Sequence, residues 1–302
     1  MGVKKTYYSH GKLLLTGEYL VLDGATALAI PTRKGQSLSV QKDGGNGVMW
    51  TSLDAHGKVW FEASFDLQFN ISRTSDEGIA LTLLDILLKA QQLNPAFLNE
   101  QKLYQVITTL EFPSNWGLGS SSTLINNVAQ WAAIDAFTLL EHSFGGSGYD
   151  IAAAQIDRPI FYTKMEPQPQ IKAVTLSWDF KDQLFFVHLN KKQDSKLGIA
   201  RYTGKQVSKN QRQQITDITH KLLLCYHLSD FERLMESHER IISEIIGLPM
   251  VKEELFSDYK GVVKSLGAWG GDFVLATGTA LDQDYFKNKG YATIVSFSDM
   301  IA

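Results

Sequence analysis

The chain has 302 residues, 44% of them hydrophobic, and 29 Lys and Arg against 32 Asp and Glu, for a net charge of −3. That composition suits a globular protein large enough for two domains, and its slightly acidic balance argues against nonspecific binding to nucleic acid. The single cysteine, Cys225 in the apolar run LLLCYHL, excludes a disulfide framework or a Cys-based zinc site within one chain and reads as a buried thiol.

The N-terminal stretch MGVKKTYYSHGKLLLTGEYLVLDG is basic but has no apolar segment followed by a cleavage site, and no run approaches the ~18 apolar residues of a membrane span. A cytoplasmic protein without membrane or nucleic-acid partners, monomeric or homodimeric, is expected. Residues 12–65 alternate short apolar, β-branched runs (KLLLTGEYLVL, TALAI, SLSVQ, GVMWTSL, KVWFEASF) with Gly, Asp and Asn, as strands and turns do. Residues 76–93 carry apolar side chains at helical spacing through Ile79, Leu83, Ile86 and Leu87, and Asn94-Pro95 ends the pattern. YQVITTLEF reads as a strand and 113–119 as a loop, and Leu124, Val128, Trp131 and Ala132 share one face of a helix. This order is α+β in character.

Prolines and glutamines interrupt residues 159–173, which places a domain boundary near 170. TLSW and QLFFVHL follow as strands, and 208–228 and 229–246 as helices. Ser229-Asp230-Phe231-Glu232 has the form of a capping box, and Gly247 that of a helix stop. A third helix is expected over 251–266, then the strand FVLAT, a helix in DQDYFKNK and a closing strand in YATIVSF. Helices mixed with a few strands suggest a small sheet covered on one side.

The loop GLGSSST at 117–123 joins a strand to a helix, the setting in which backbone N–H groups and the helix dipole hold an anion. It is not a P-loop. The nearest match, GIARYTGKQ, has one residue too many and no hydroxyl after Lys205. Nor is it a dinucleotide fingerprint: Ser122 stands where the third glycine belongs, and Glu141, at roughly the spacing of the acidic partner, follows a helix rather than a second strand. A phosphate cradle and a plain turn followed by a serine N-cap both remain open. Asp150, after Gly-Ser-Gly, is likewise open between a helix N-cap and a catalytic carboxylate, and Lys12 alone reads as a solvated charge.

The pattern P-x-x-x-G-L-G-S-S at 113–121 resembles the phosphate-binding motif of the GHMP kinase superfamily. Two further stretches resemble its other motifs in the right order, GKLLLTGEYLVLDG at 11–24 and KSLGAWGGDFVLA at 264–276. GEY and GGD look more like the phosphomevalonate kinase branch. GGSGYDIAAA at 145–154 is similar to the segment that carries the catalytic aspartate in mevalonate-type kinases, and its GYDIA spelling marks a bacterial group of the superfamily.

The resemblance implies two α+β domains, an N-terminal one like ribosomal protein S5 domain 2 (1–170) and a ferredoxin-like C-terminal one (171–302). It implies transfer of the γ-phosphoryl group of ATP, with Mg²⁺, to phosphomevalonate or mevalonate. Homoserine or a sugar as acceptor, a decarboxylase of the diphosphomevalonate type, and a noncatalytic nucleotide-binding regulator are the alternatives. In this frame Asp150 is the base and Lys12 the cation beside it. Pro113, Gly117, Leu118, Gly119, Ser120, Ser121 and Ser122 cradle the nucleotide, and Ser121 and Glu141 hold the metal. Tyr19, Gly148, Tyr149, Gly270, Gly271 and Asp272 contact the acceptor. His10, Arg33, Lys34, Lys191, Lys192 and Arg201 are the available cations for an acidic group on it. Trp269 departs from the family pattern by replacing a glycine, so that its indole either narrows the nucleotide pocket or packs outward.

Overall fold

The computed structural model describes residues 3–192, 195–267 and 269–302. Strand β1 (Lys5–Thr16) leads through a 3-10 turn at Leu20–Asp23 into β2 (Ala27–Asp43), β3 (Gly47–Leu53), β4 (Val59–Phe65) and β5 (Ile71–Thr74). Helix α1 (Glu77–Leu93), strand β6 (Leu103–Leu110) and helices α2 (Ser120–Ala132), α3 (Ala136–Ser143) and α4 (Tyr149–Gln155) follow. The chain continues through β7 (Ile160–Thr163), β8 (Gln170–Ala173), β9 (Leu184–His188), α5 (Ser195–Tyr202), α6 (Lys209–Leu222) and α7 (Leu228–Ile246). It ends with α8 (Val251–Leu255), β10 (Val263–Ser265), β11 (Phe273–Thr277), α9 (Gln283–Asn288), β12 (Ile294–Ser296) and α10 (Phe297–Met300).

Two compact units emerge. The first comprises Met1–Gly11, Lys34–Ser114 and Leu118–Gln155, and the second Lys12–Arg33, Asn115–Gly117 and Ile156–Ala302. Both are discontinuous in sequence, whereas the domains read from the sequence are the contiguous spans 1–170 and 171–302. Strands β1 and β2 are each divided between the units.

In the first unit the sheet order is β5-β4-β3-β6-β2, antiparallel except for the parallel pair β3 and β6. The period-2 alternation of β6 turns Tyr104, Val106, Thr108 and Leu110 inward. Tyr104 and Val106 join Leu38, Trp50 and Phe61 in a core against Leu83, Ile86 and Leu87 of α1 and Ile125, Val128 and Ala129 of α2. The Asp76 carboxylate accepts the Ile79 N–H and caps α1.

In the second unit the antiparallel order is β10-β11-β9-β12. Phe185 and Val187 of β9 pack with Val251, Phe256 and Phe286 from the α8 and α9 region. The alternate residue Phe186 stacks on Phe297 of α10 with ring centroids 6.0 Å apart, and α7 lies against β10. Both faces of this sheet are therefore covered, not one.

Other expectations change too. TLSW forms no strand, and the Pro- and Gln-rich stretch forms the β7–β8 hairpin. Helix α8 stops at Leu255, and 263–265 is a strand: an added Cβ at Gly261 would lie 2.2 Å from the Thr277 carbonyl, so only glycine admits this close approach of the two chains. Helix α7 has already begun by Ser229, with His227 at its N-cap, so the expected capping box does not form there. It forms instead between Ser208 and Gln211 at the start of α6. Gly247 does end α7 in a left-handed conformation. Among the described residues no helix is long and apolar enough to cross a membrane.

Candidate functional site

At the start of α2, Gly119 takes the N-cap in a left-handed conformation (φ 87°), and no side chain caps the helix. The plain reading with a serine N-cap is thereby corrected. Ser122 is buried and its hydroxyl donates back to the Gly119 carbonyl (2.9 Å). Ser120 is half-buried and Ser121 exposed, and neither side chain has a hydrogen bond among the described residues. A helix end with uncapped first-turn donors and two available hydroxyls is suited to an anion. In the same loop Leu118 is fully buried and Pro113 half-buried.

A buried polar network fixes this helix end. Thr123 Oγ1 donates to Gln36 Oε1 (2.7 Å), and Asn127 Nδ2 donates to the Gln36 carbonyl (2.9 Å). Ser9 Oγ donates to Asn127 Oδ1 (2.8 Å) and accepts from Asn126 Nδ2 (2.8 Å). Asn126 Oδ1 in turn accepts from Gln155 Nε2 of α4 (3.0 Å). Ser9, Thr123, Asn126 and Asn127 are fully buried. The network thus ties α2 to β1, β2 and α4, and its asparagines lie outside every sequence motif. The available signal was two adjacent amides, Asn126-Asn127, inside an otherwise apolar helical pattern.

Asp150 lies inside the first turn of α4 and not at its N-cap, where Gly148 supplies the carbonyl for the Ala152 N–H. Its Oδ1 accepts the Ile151 N–H at 3.2 Å. Asp150 and Tyr149 are half-buried and Gly148 is buried. Glu141 occupies the last turn of α3, exposed and without an ion pair or hydrogen bond of its side chain among the described residues. No group of three or more His, Cys, Asp or Glu side chains among the described residues is arranged as a metal site. An exposed carboxylate and an exposed hydroxyl are nonetheless the oxygen donors that Mg²⁺ takes together with phosphate oxygens and water.

In the second unit the three sequence motifs meet. Lys12 Nζ of the first donates to the Gly117 carbonyl of the second (3.0 Å), so this lysine is a loop anchor rather than a solvated charge. The Asp272 carboxylate of the third lies so close to Gly117 that an added Cβ would approach it to 2.3 Å. Gly117 also has φ +67°, so its absent side chain and its backbone conformation are both required. Asp272 is itself left-handed (φ 54°) and donates its N–H to the Lys191 carbonyl (2.7 Å). Beside it, Trp116 meets Phe273 edge to face at 5.2 Å. His188 Nδ1 accepts the Asn190 N–H, so the ring's proton is on Nε2, which donates to the Asn115 carbonyl (3.1 Å).

Tyr19 and Trp269 lie together in a buried aromatic cluster of the second unit. Trp269 is 3% exposed and packs inward with Tyr19, Tyr202, Ile215 and Ile242, its Nε1 donating to the Pro249 carbonyl (2.9 Å). The indole does not pack outward. Tyr19 is nearly buried, stacks on Tyr202 at 5.5 Å, and accepts the Trp269 N–H on its hydroxyl (3.0 Å). Gly270 is half-buried in a left-handed conformation and Gly271 is buried. Of the cations considered for an acidic acceptor, Arg33 is tied through Nε to the Ile301 carbonyl (2.9 Å).

No family model and no curated protein matches the sequence. Solved structures do match over nearly the whole chain. The mevalonate kinase of Methanococcus jannaschii is 14% identical with a TM-score of 0.71, over 97% of each chain. The Streptococcus pneumoniae phosphomevalonate kinase in complex with phosphomevalonate and AMPPNP is 15% identical with a TM-score of 0.69, over 97% of this chain and 99% of that one. The Lactococcus lactis galactokinase complexed with galactose is 12% identical with a TM-score of 0.65, over 97% and 92%. The chain therefore has the two-domain α+β fold of the GHMP kinases, as its three motifs imply.

Proposed function

We propose that the protein is an ATP- and Mg²⁺-dependent kinase that phosphorylates a small alcohol, with phosphomevalonate or mevalonate as the acceptor. The observation that carries this reading is the meeting of Lys12, Gly117 and Asp272, one residue from each of three separate motifs. The fold adds support, since it is the fold of a phosphomevalonate kinase that holds phosphomevalonate and AMPPNP.

Each group has a task in this chemistry. The uncapped N-terminus of α2, with Ser120 and Ser121, receives the phosphates of ATP, and Lys12 holds the preceding loop in place. Asp150 takes the proton of the attacking hydroxyl, while cations and N–H groups meet the charge on the phosphoryl oxygens. Ser121 and Glu141 would hold Mg²⁺, which neutralises phosphate charge when bound. Gly148 and Tyr149 of the first unit, and Gly270, Gly271 and Asp272 of the second, are each assigned to the acceptor. Tyr19, whose hydroxyl accepts the Trp269 N–H, holds the loop that carries Gly270, Gly271 and Asp272.

ADP release from Mg-ATP, measured in a coupled assay with phosphomevalonate, mevalonate, homoserine and galactose, tests the reading. Turnover with phosphomevalonate or mevalonate is expected. Turnover confined to homoserine or galactose replaces the proposed acceptor, and ATP binding without turnover on any of them identifies a noncatalytic regulator.

A further inference from the structure

Four ionisable side chains are enclosed in the second unit: Glu18 and Lys264, each from a different motif, and His238 and Glu239 from α7, all at most 1% exposed. Lys264 Nζ donates to Glu18 Oε1 (2.6 Å) and to the Ser265 carbonyl (2.7 Å), and lies 3.6 Å from Glu239 Oε1. Ser265 Oγ donates to Glu239 Oε2 (3.1 Å). His238 Nε2 accepts the Gly17 N–H (3.0 Å) and lies 3.2 Å from Glu18 Oε2.

Such a cluster is a poor source of stability. Removing ionised groups from water costs several kcal/mol each, and apolar packing of the same volume is often as stable or more so. Glu18 Oε2, His238 Nδ1 and Glu239 Oε1 lack hydrogen-bond partners among the described residues, so the desolvation is not even fully offset. What the cluster does supply is directional geometry. It joins the turn at Gly17 and Glu18 to strand β10 through Lys264, and Tyr19, the next residue of that turn, accepts on its hydroxyl the backbone N–H of Trp269 in the loop after β10. Asp272 ends this loop against Gly117.

We infer that Glu18 and Lys264 are positioning residues, a buried latch that holds the loop ending at Asp272 in register with the first-motif turn and so sets the acceptor side of the proposed kinase site. The inference rests on the kinase reading for its effect on turnover, but not for its effect on the loop. Glu18→Gln keeps the acceptor for Lys264 and the shape of the side chain, whereas Glu18→Leu removes the acceptor.

Amide hydrogen exchange and ADP release are measured on both variants of the full chain. In Glu18→Leu, exchange at residues 269–272 is expected to rise about tenfold or more while β9 and β11 keep their protection. The acceptor KM should rise about tenfold with the ATP KM unchanged. Glu18→Gln should stay near the parent protein on both readouts. If Glu18→Leu does not fold, the double variant Glu18→Leu, Lys264→Met replaces it, because it removes the charge together with its partner. Unchanged exchange at 269–272 overturns the latch, as does a rise spread equally over β9 and β11 or an equal rise in both KM values. If the parent protein releases no ADP with any acceptor, the kinase reading falls and the exchange result alone decides the latch.

Discussion

Asp150 and Gly117 carry the residue-scale predictions. Asp150→Asn keeps the shape of the side chain but removes the base, so turnover should fall by about 10²–10⁴-fold while ATP affinity, measured by direct titration, is unchanged. Intact turnover would show the carboxylate to be no more than a first-turn residue of α4. Gly117→Ala pushes a methyl group into the Asp272 carboxylate at a backbone angle that disfavours any side chain. Displacement of the loop by even an ångström should lower kcat/KM by roughly 100-fold with the fold intact by circular dichroism. Activity close to that of the parent protein would detach Asp272 and Gly117 from the reaction. The contact between Gly117 and Asp272 was not legible from spacing along the chain, because a motif marks each glycine separately and not the side chain that fills the space it leaves open.

Helix α2 is the element proposed to receive the nucleotide, and its position is set by polar groups inside the first unit rather than by a cap. Asn127→Leu leaves the Gln36 carbonyl and the Ser9 hydroxyl short of a buried partner. A loss of about 2–4 kcal/mol in unfolding free energy is expected from two such groups, read as a lower denaturant midpoint. A shift too small to measure would mean that the network is dispensable. Element type was legible wherever periodicity was long: α1, with its Asp76 cap, and strand β6 lie close to their expected bounds. It failed where charge and glycine sit among apolar residues. The stretch 251–266 has helical spacing, yet Gly261 lets the chain run against β11 and Lys264 finds buried carboxylates, so tertiary contacts override the local pattern. The Ser229 capping box failed for a related reason, since α7 begins a residue earlier and Glu232 accepts instead from Thr277 Oγ1 (2.5 Å).

For the whole molecule, the buried charge cluster predicts how stability responds to pH. Burial raises the Glu239 carboxyl from its usual 4.5 to about 7, partly offset by Lys264, with Glu18 raised in the same direction. Burial and Lys264 hold His238 well below its usual 6.5. Between pH 4.5 and about 7 the unfolded chain ionises Glu239 while the folded chain retains its proton, so this group's contribution is present at low pH and is lost as pH rises through about 7. His238 has the opposite sign, because the folded chain resists the proton that the unfolded chain takes up as pH falls below 6.5. Glu239→Gln removes only the first effect. Relative to the parent protein, the variant should therefore gain stability as pH rises from 5 to 8, measured by urea unfolding at each pH. A difference that is constant across this range would show that Glu239 titrates normally.

The sequence by itself determined the α+β class, the three motifs and their order, the strand-to-helix loop at 117–123, and Cys225 as a buried thiol, which is 5% exposed. The class and the buried thiol follow from local chemistry, apolar periodicity and glycine where the backbone must turn, and the motifs from the resemblance that their residues carry. Only the tertiary structure decided that Lys12 grips the Gly117 carbonyl, that Trp269 turns into a core with Tyr19, and that two charged motif residues, Glu18 and Lys264, are partners in a sealed cluster. Which distant groups neutralise a charge or fill a gap depends on how the chain packs, and no local pattern records that.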